Sequence, residues 1–408
     1  MLRRENVLQA WKAVRRNKGG PGVDGLTIDA TRQHLKQHWP VIKEKLLAGS
    51  YRPAAVRQTT IPKPSGGTRT LGIPTVQDRL IQQAMLQVLS AALDGTMSDH
   101  SYGFRPGRSA HDAIAAASGY VAAGKSWVVD IDLKSFFDQV NHDRLMTLLG
   151  RHVRDKRVLK LVGGFLRAPM RQADGTQTAR SRGTPQGGPL SPLLANIYLD
   201  PLDKELERRG IDFVRYADDI ALFAQSQEAA QQMLESIRLW LRRELGLEIN
   251  DDKSGSGPSD QSQLLGFRLR LDGGIEIAPS SIDRLKARVR QLLDARRSTT
   301  AEGLRKDWSA YIAGWWNYFR VANRRKALKG LAGWIRRHMR KLFWLRWHDR
   351  HGRRNALRGL GVPQWQLGIS SQRKGAWRMA ANSIVQRALR NSRLASFGLY
   401  IPWESAGS

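Results

Sequence analysis

The sequence predicts a mixed α/β body of about 275 residues followed by an all-helical, strongly basic one. Three observations lead there. Up to about residue 275, short β-type runs alternate with helical stretches, whereas beyond about residue 276 only the 3.6-residue period remains. The formal net charge is +31 over 408 residues, and nine of the thirteen Trp lie beyond residue 300. The chain is 41% hydrophobic, enough for real cores, which excludes wholesale disorder. Such an excess of positive charge calls for a polyanionic partner, nucleic acid before a membrane surface. No apolar run of about 18 residues and no signal peptide is present, so no membrane role is expected. Cysteine is absent, which excludes disulfides and thiolate zinc sites and fits a reducing compartment.

The elements follow in order. Residues 1–50 pattern as helices interrupted by the turn-rich "NKGGPGVDG". Residues 51–75 predict two short strands around a Pro-Ser-Gly-Gly turn, and a helix runs through "DRLIQQAMLQVLSAAL". "SWVVDIDL" predicts a strand on which Asp130 and Asp132, two apart, leave the same face. Residues 190–208 predict a helix with Ser191 as N-cap and Pro192 in its first turn. "FVRYADDIALFA" predicts a β-hairpin with Asp218 and Asp219 at its tip, followed by a helix through "EAAQQMLESIRLWLRREL". Three helices then carry Leu285 and Val289, Trp308 and Ile312, and Leu331, Ile335, His338 and Leu342. The last stretch, 362–408, is expected to dock with one helix.

The paired aspartates pose the chemical question. Burying a carboxylate without a partner is expensive. Either "ADD" is an exposed polar turn or a cation sits there. If the strand ending at Asp132 neighbours the hairpin, Asp132 and Asp218 converge. Such hard oxygen ligands suit Mg²⁺, which takes one or two carboxylates plus substrate phosphates. Two ions about 4 Å apart serve phosphoryl transfer by activating the attacking hydroxyl and stabilising the leaving oxygen.

Seven stretches occur in order: "IPKPSGGTRTLGIP", "SYGFRPGRSAHDAI", "DIDLKSFFD", "GTPQGGPLSPLLANIYLD", "FVRYADDIALFA", "GLEINDDKS" and "LLGFRL". Together they resemble the reverse transcriptase domain of bacterial group II intron-encoded proteins, from about residue 15 to 275. "GWWNYFRVANRR" is similar to their maturase (thumb) domain. The resemblance implies a right-hand polymerase, with fingers and palm built on an RRM-like antiparallel sheet and an all-α thumb. The boundaries it suggests are 1–55 for an N-terminal fingers segment, 56–275 for fingers and palm, 276–361 for the thumb, and 362–408 for a C-terminal segment that could touch DNA.

The same resemblance implies roles residue by residue. Asp132, Asp218 and Asp219 would hold two Mg²⁺ ions, with Mn²⁺ a possible substitute. Lys63 and Arg69 flank a Gly-Gly turn and would fold over the triphosphate of a dNTP, or form a generic basic loop. Phe137 would exclude a 2′-hydroxyl, or be ordinary core. Gln186 would lie near the nascent base pair, in a loop that could equally be a stiff helix entry. Lys253 would give a proton to pyrophosphate, or be a surface lysine. Arg105 and Arg108 would contact template. Asp130 has no implied role beyond a polar strand position.

In the basic helices, Lys and Arg outnumber Asp and Glu by roughly four to one over 281–361. Arg324, Arg325, Arg336, Arg337, Arg340 and Lys341 are the candidates to grip intron RNA, alongside Arg320, Lys326, Arg350, Arg353 and Arg354. Arg373, Lys374 and Arg378 are candidates for nucleic acid in the last segment. The Trp residues belong mostly to core, with Trp344 or Trp347 expected to be available for stacking. His111 and His142 sit in no metal-ligand spacing and are expected to be structural.

Many members of the resembled group end in a nuclease domain with Cys pairs, and this chain has no Cys. Second-strand cleavage is therefore not expected of it, and the N-terminal segment looks short. The implied activity is RNA-templated DNA synthesis in a bacterial cytoplasm, with dNTPs, an RNA template, a DNA primer, intron RNA and target DNA as partners. Two alternatives stay open: a reverse transcriptase without an intron, used in defence or repair, and a maturase that only assists splicing.

Overall fold

The computed structural model describes residues 1–62, 67–297, 299–322, 325–372 and 375–405, without the side chains of Arg69, Arg325, Lys326 and Ser405. Lys63, Arg324, Arg373 and Lys374, with the side chains of Arg69, Arg325 and Lys326, lie outside the described residues. The chain divides into two compact units, Met1–Ser262 and Gln263–Ser408.

In the first unit, helices Arg4–Arg16 and Ile28–Leu47 precede β1 (Val56–Pro62) and β2 (Thr68–Ile73). Helices Val76–Leu93 and Ala110–Ala122 lead to β3 (Trp127–Asp132). β4 (Met170–Arg171) and β5 (Gln177–Thr178) extend a four-stranded sheet of order β2-β1-β4-β5. Helix Ser191–Arg208 is followed by β6 (Asp212–Tyr216) and β7 (Asp219–Ala224), then by helix Gln227–Trp240 and β8 (Gly255–Pro258). These strands form the second sheet, antiparallel throughout, in the order β6-β7-β3-β8.

The second sheet positions the site. Val129 and Ile131 point to one face of β3, and Val128, Asp130 and Asp132 to the other. From Ile220 to Ala224, β7 is buried, so this sheet is covered on both faces except at its acidic end. The covering helices supply Leu199, Leu202, Ile237 and Leu241 to one continuous core with Phe213, Ile220 and Leu222. Burying apolar side chains on both faces stabilises each by about 1.5–3 kcal/mol, which holds the acidic end against its own repulsion.

The second unit opens with the hairpin β9 (Phe267–Leu269) and β10 (Ile275–Ile277). Helices Pro279–Leu292, Ala301–Phe319 and Arg325–Arg346 follow, as the 3.6 period predicts. Phe267 packs 5.1 Å from the Phe319 ring, and Leu331, Ile335 and Leu342 are buried while His338 is half-buried. Fully buried Trp308 donates its indole N–H to the Tyr400 carbonyl at 2.9 Å, tying the last segment to the helix Ala301–Phe319.

Three local expectations change. Ser191 is not the N-cap. It lies inside the helix, Leu190 precedes it, and its hydroxyl donates to the Pro185 carbonyl at 2.7 Å. The last segment is not one helix but short turns at Gln364–Ser371, Ala376–Met379, Ser383–Ala388, Asn391–Ser396 and Pro402–Ser405. Gly375, Gly398 (φ +80) and Pro402 break it too often for a longer helix. Trp344 is buried rather than available for stacking, with the Arg353 guanidinium 4.9 Å over its ring. The most exposed Trp is instead Trp365, at 81%. Among the described residues no helix is long and apolar enough to cross a membrane.

Replacing Trp308 by Ala should destabilise the second unit by about 3–5 kcal/mol, because a large buried ring and its hydrogen bond are lost together. Urea unfolding followed by fluorescence of the remaining Trp residues measures this.

Candidate active site

The hairpin of β6 and β7 pairs Tyr216 with Asp219, leaving Ala217 and Asp218 as a two-residue turn. Ala217 has φ +60, and positive φ at the first turn position is the type II′ pattern, which usually selects Gly. An alanine there costs on the order of 1–3 kcal/mol and persists only if its surroundings hold it. Fully buried Arg215 does so. Its Nη1 donates to the Ala217 carbonyl at 3.0 Å and to Asn196 Oδ1 at 2.8 Å. Its Nε donates to Asp203 Oδ1 at 2.7 Å, and Nη2 donates to the other oxygen of the same buried carboxylate. Burial pushes the Asp203 carboxyl up, and the Arg215 guanidinium opposes this.

The segment 100–103 closes the turn from another side. The Arg215 N–H donates to the His100 carbonyl at 2.9 Å, and the Tyr102 N–H to the Arg215 carbonyl at 2.8 Å. Asn196 Nδ2 donates to the Gly103 carbonyl at 2.8 Å. A Cβ at Gly103 would stand 2.3 Å from the Ala217 nitrogen, so only glycine fits there.

The register of β3 on β7 sets Asp132 directly opposite Asp219, with Asp130 opposite the small Ala221. Directly opposed residues share a face, with Cβ atoms roughly 4.5–5.5 Å apart. Asp218, in the turn, adjoins them. Asn250 Nδ2 donates to Asp132 Oδ2 at 3.1 Å, and Lys253 Nζ stands 3.7 Å from the same oxygen. The Asp132 N–H donates to Ser254 Oγ at 2.9 Å, so one loop fixes both ends of this residue.

Electrostatics report the crowding. The Asp219 carboxyl is pushed up to about 6 by partial desolvation and then by Asp218, Asp132 and Asp130, with Lys253 opposing. Asp130 is pushed up to about 6 by burial, against a hydrogen bond from the Ser262 hydroxyl. Among the described residues, no three His, Cys, Asp or Glu groups form a ready-made metal cage. That suits an ion held by one or two carboxylates with the rest of its shell from water and phosphate. Mutual repulsion strong enough to raise Asp219 is what a divalent cation would relieve. The donor set therefore fits such an ion.

The nucleotide-side candidates gather at one loop. Phe137 follows left-handed Ser135 and is half-buried, with its ring 5.2 Å from buried Phe136 and edge-on to it. Its carbonyl accepts from the Thr184 N–H at 2.7 Å, which seats the "GTPQGG" loop beside it. The Gln186 carbonyl accepts from the Gly72 N–H on β2 at 2.9 Å, linking that loop to the β1–β2 hairpin. Lys63 and the Arg69 side chain, expected on this hairpin, lie outside the described residues.

Several expected nucleic-acid contacts have protein partners instead. Arg105 is buried, with donors on the Asp94 carboxylate (2.8 Å) and on the Asp94 and Ser101 carbonyls (2.7 and 3.1 Å), so it clamps its own loop rather than facing a template. Arg108 pairs with exposed Asp99. In the second unit Arg336 pairs with Glu404, and Arg337 Nε donates to the Trp377 carbonyl at 3.1 Å. Arg340 is buried and donates to the Leu389 carbonyl at 3.1 Å, so it too fills a packing position. Lys341 lines a cavity. Sequence reasoning missed Arg215, Asp203, Asn196 and Asn250. The available signal was a lone Arg inside the apolar run of "FVRYADD".

A sheet of this register with acids at the end of β3 and at a tight turn defines the palm of a right-hand polymerase. Residues 61–269 match the reverse transcriptase (RNA-dependent DNA polymerase) family, and residues 282–360 match the group II intron, maturase-specific domain. The chain belongs to the reverse transcriptase family. It is 32% identical over 290 residues to Protein YkfC of Escherichia coli (strain K12), covering 61% of this chain and 76% of that one. It is 28% identical over 337 residues to the group II intron-encoded protein LtrA of Lactococcus lactis subsp. cremoris, covering 66% of this chain but 56% of LtrA. Similarity to a solved apo telomerase from Candida tropicalis extends over 75% of this chain and 68% of that one, at a TM-score of 0.46 and 13% identity.

Replacing Arg215 by Met should cost about 3–5 kcal/mol, because Asp203 is left buried and unpaired. The double variant with Asp203→Leu should recover part of that loss in urea unfolding. Asp219 carries the opposite sign. Its folded value, about 6, lies above its ordinary 3.8, so its contribution is favourable below 3.8 and is lost as pH rises through 6. Asp219→Asn should therefore melt higher than wild type at pH 7.5 without metal, with the gap closing below about pH 5. Thermal melts across pH check this.

Proposed function

We propose that this protein is an RNA-directed DNA polymerase that also binds intron RNA and assists its splicing and mobility. The observation that carries the first half is the pairing of Asp132 with Asp219 beside the Asp218 turn, with Asp219 pushed up to about 6 by desolvation and then by its acidic neighbours. The reaction class is attack of a primer 3′-hydroxyl on the α-phosphate of a dNTP, with pyrophosphate leaving.

The reverse transcriptase family works with divalent metal ions. In this reading Asp132 and Asp218 hold two Mg²⁺ ions, Mn²⁺ being a substitute, with Asp219 completing the site. Such ions, when bound, would activate the attacking 3′-hydroxyl and offset the charge developing on the leaving pyrophosphate oxygen. The chain's own residues do the rest. Lys253 Nζ, 60% exposed, stands 3.7 Å from Asp132 Oδ2, and in this reading it is the donor to departing pyrophosphate. Phe137 excludes a 2′-hydroxyl, and Gln186 borders the nascent base pair. Lys63 and Arg69 close over the triphosphate. Support for the second half comes from the matched maturase-specific domain at 282–360 and from the basic helices that build it. Target DNA would meet the segment 362–408.

Asp218→Ala should lower Mg²⁺-dependent primer extension on an RNA template by on the order of 100-fold or more, while affinity for a structured RNA changes less than about threefold. Extension at the wild-type rate would reject the metal assignment, and loss of RNA affinity alone would reject the division of labour.

A further inference from the structure

The second unit contains a cavity of about 460 Å³. That is within the range of small-ligand pockets, roughly 300–1,000 Å³. One wall is aromatic. Trp334 and His338, one helical turn apart on Arg325–Arg346, have ring centroids 4.2 Å apart. Trp377 continues the wall, 4.7 Å from His338. Trp377 is held in place, since the Arg337 guanidinium stacks 4.1 Å over its ring and donates to its carbonyl.

The rim is cationic. Lys341 comes from the same helix as Trp334, one turn beyond His338. Arg290 and Arg296 come from the end of helix Pro279–Leu292 and the loop after it, with Arg290 5.3 Å over Trp334. The one carboxylate on the rim, Asp294, accepts two bonds from Arg296, at 3.0 and 3.2 Å, and one from the Arg296 N–H at 3.0 Å. It is therefore not free to repel an anion. Burial and the cations Lys341, Arg290 and Arg337 push His338 down to about 4, so its ring is neutral at pH 7 and stacks as an aromatic.

An aromatic wall under a cationic rim fits a planar base with a phosphate attached. We propose that this cavity captures one unstacked nucleotide of a bound RNA, the base stacked on Trp377 with the tilted His338 and Trp334 rings bordering it, and the phosphate on Arg290 and Lys341. This rests on the reading that the second unit grips RNA. Stacking on aromatic side chains is sequence-tolerant, and unpaired bases in bulges and loops are what proteins splay out of folded RNA. The cavity would thus select RNA shape rather than sequence.

The test uses the full chain and three RNA hairpins: one perfectly paired, one with a single-nucleotide bulge, and one with an abasic residue at the bulge. Wild type should bind the bulged hairpin about 5- to 150-fold more tightly than the abasic one, since stacking contributes about 1–3 kcal/mol. A 2-aminopurine at the bulge should lose fluorescence on binding. Trp377→Ala should remove both effects and leave affinity for the paired hairpin within about twofold, while Trp377→Phe should restore them. Equal affinity of wild type for bulged and abasic hairpins, or an undiminished advantage in Trp377→Ala, would overturn the proposal with RNA binding intact. Failure to bind any hairpin would overturn the broader RNA-gripping reading as well.

Discussion

Arg215 and Asp203 form an ion pair with no solvent exposure at all. A buried guanidinium is tolerated only when its donors are used, because desolvating it costs several kcal/mol. Here its two-pronged contact with the carboxylate leaves one further nitrogen for Asn196 and the Ala217 carbonyl. Lysine could not do this, lacking the planar fork. The pair thus links helix Ser191–Arg208 to a strained turn, and that turn carries Asp218. The turn that carries Asp218 is thus braced from behind, through the Ala217 carbonyl.

That rigidity matters because the acids repel. Four carboxylates at one end of a sheet would splay a soft hairpin. Lys253 and Asn250 restrain Asp132 from one side, and the sheet ladder restrains Asp219 from the other. The residual strain appears as a raised Asp219 carboxyl. A site held this way changes little when a cation enters, so binding energy is not spent on reorganising ligands. The chain is positive overall, whereas this end of the sheet gathers carboxylates, a contrast that favours cations here and polyanions elsewhere.

Much of this was legible in the sequence because its signals are local. The β3 strand, the presence of a hairpin at residues 213–224 and the three helices of the second unit follow from period, but the turn falls at Ala217–Asp218 rather than at Asp218–Asp219, because Arg215 holds Ala217 at positive φ. The two-residue spacing of Asp130 and Asp132 put both on one face, although Asp130 offered no reason to count it among the crowded acids. What was hidden depends on distant partners. Ser191 turns to Pro185, a carbonyl within its own loop, so the helix begins without the expected cap. Arg105 and Arg340 look like surface cations in a basic sequence, yet each is buried. Arg340 is satisfied by a carbonyl 49 positions along the chain. Trp344 and Trp334 share one helix, and only the fold shows which lies in the core and which borders a cavity.

The same residues change how the charge excess should be understood. Arg336, Arg337 and Arg340 join helix Arg325–Arg346 to Glu404, Trp377 and Leu389. Arg393 donates to the Leu360 and Ala388 carbonyls. The last segment is attached by its buried Leu367, Met379, Val385, Leu389 and Leu394 and by arginine and Trp donors to backbone carbonyls. Those guanidiniums are engaged by the Glu404 carboxylate or by backbone carbonyls, so they would contribute little to counterion release on a polyanion. The steepness of salt dependence counts phosphates neutralised, not Lys and Arg present. Fewer cations of this unit are therefore available to a polyanion than its composition implies.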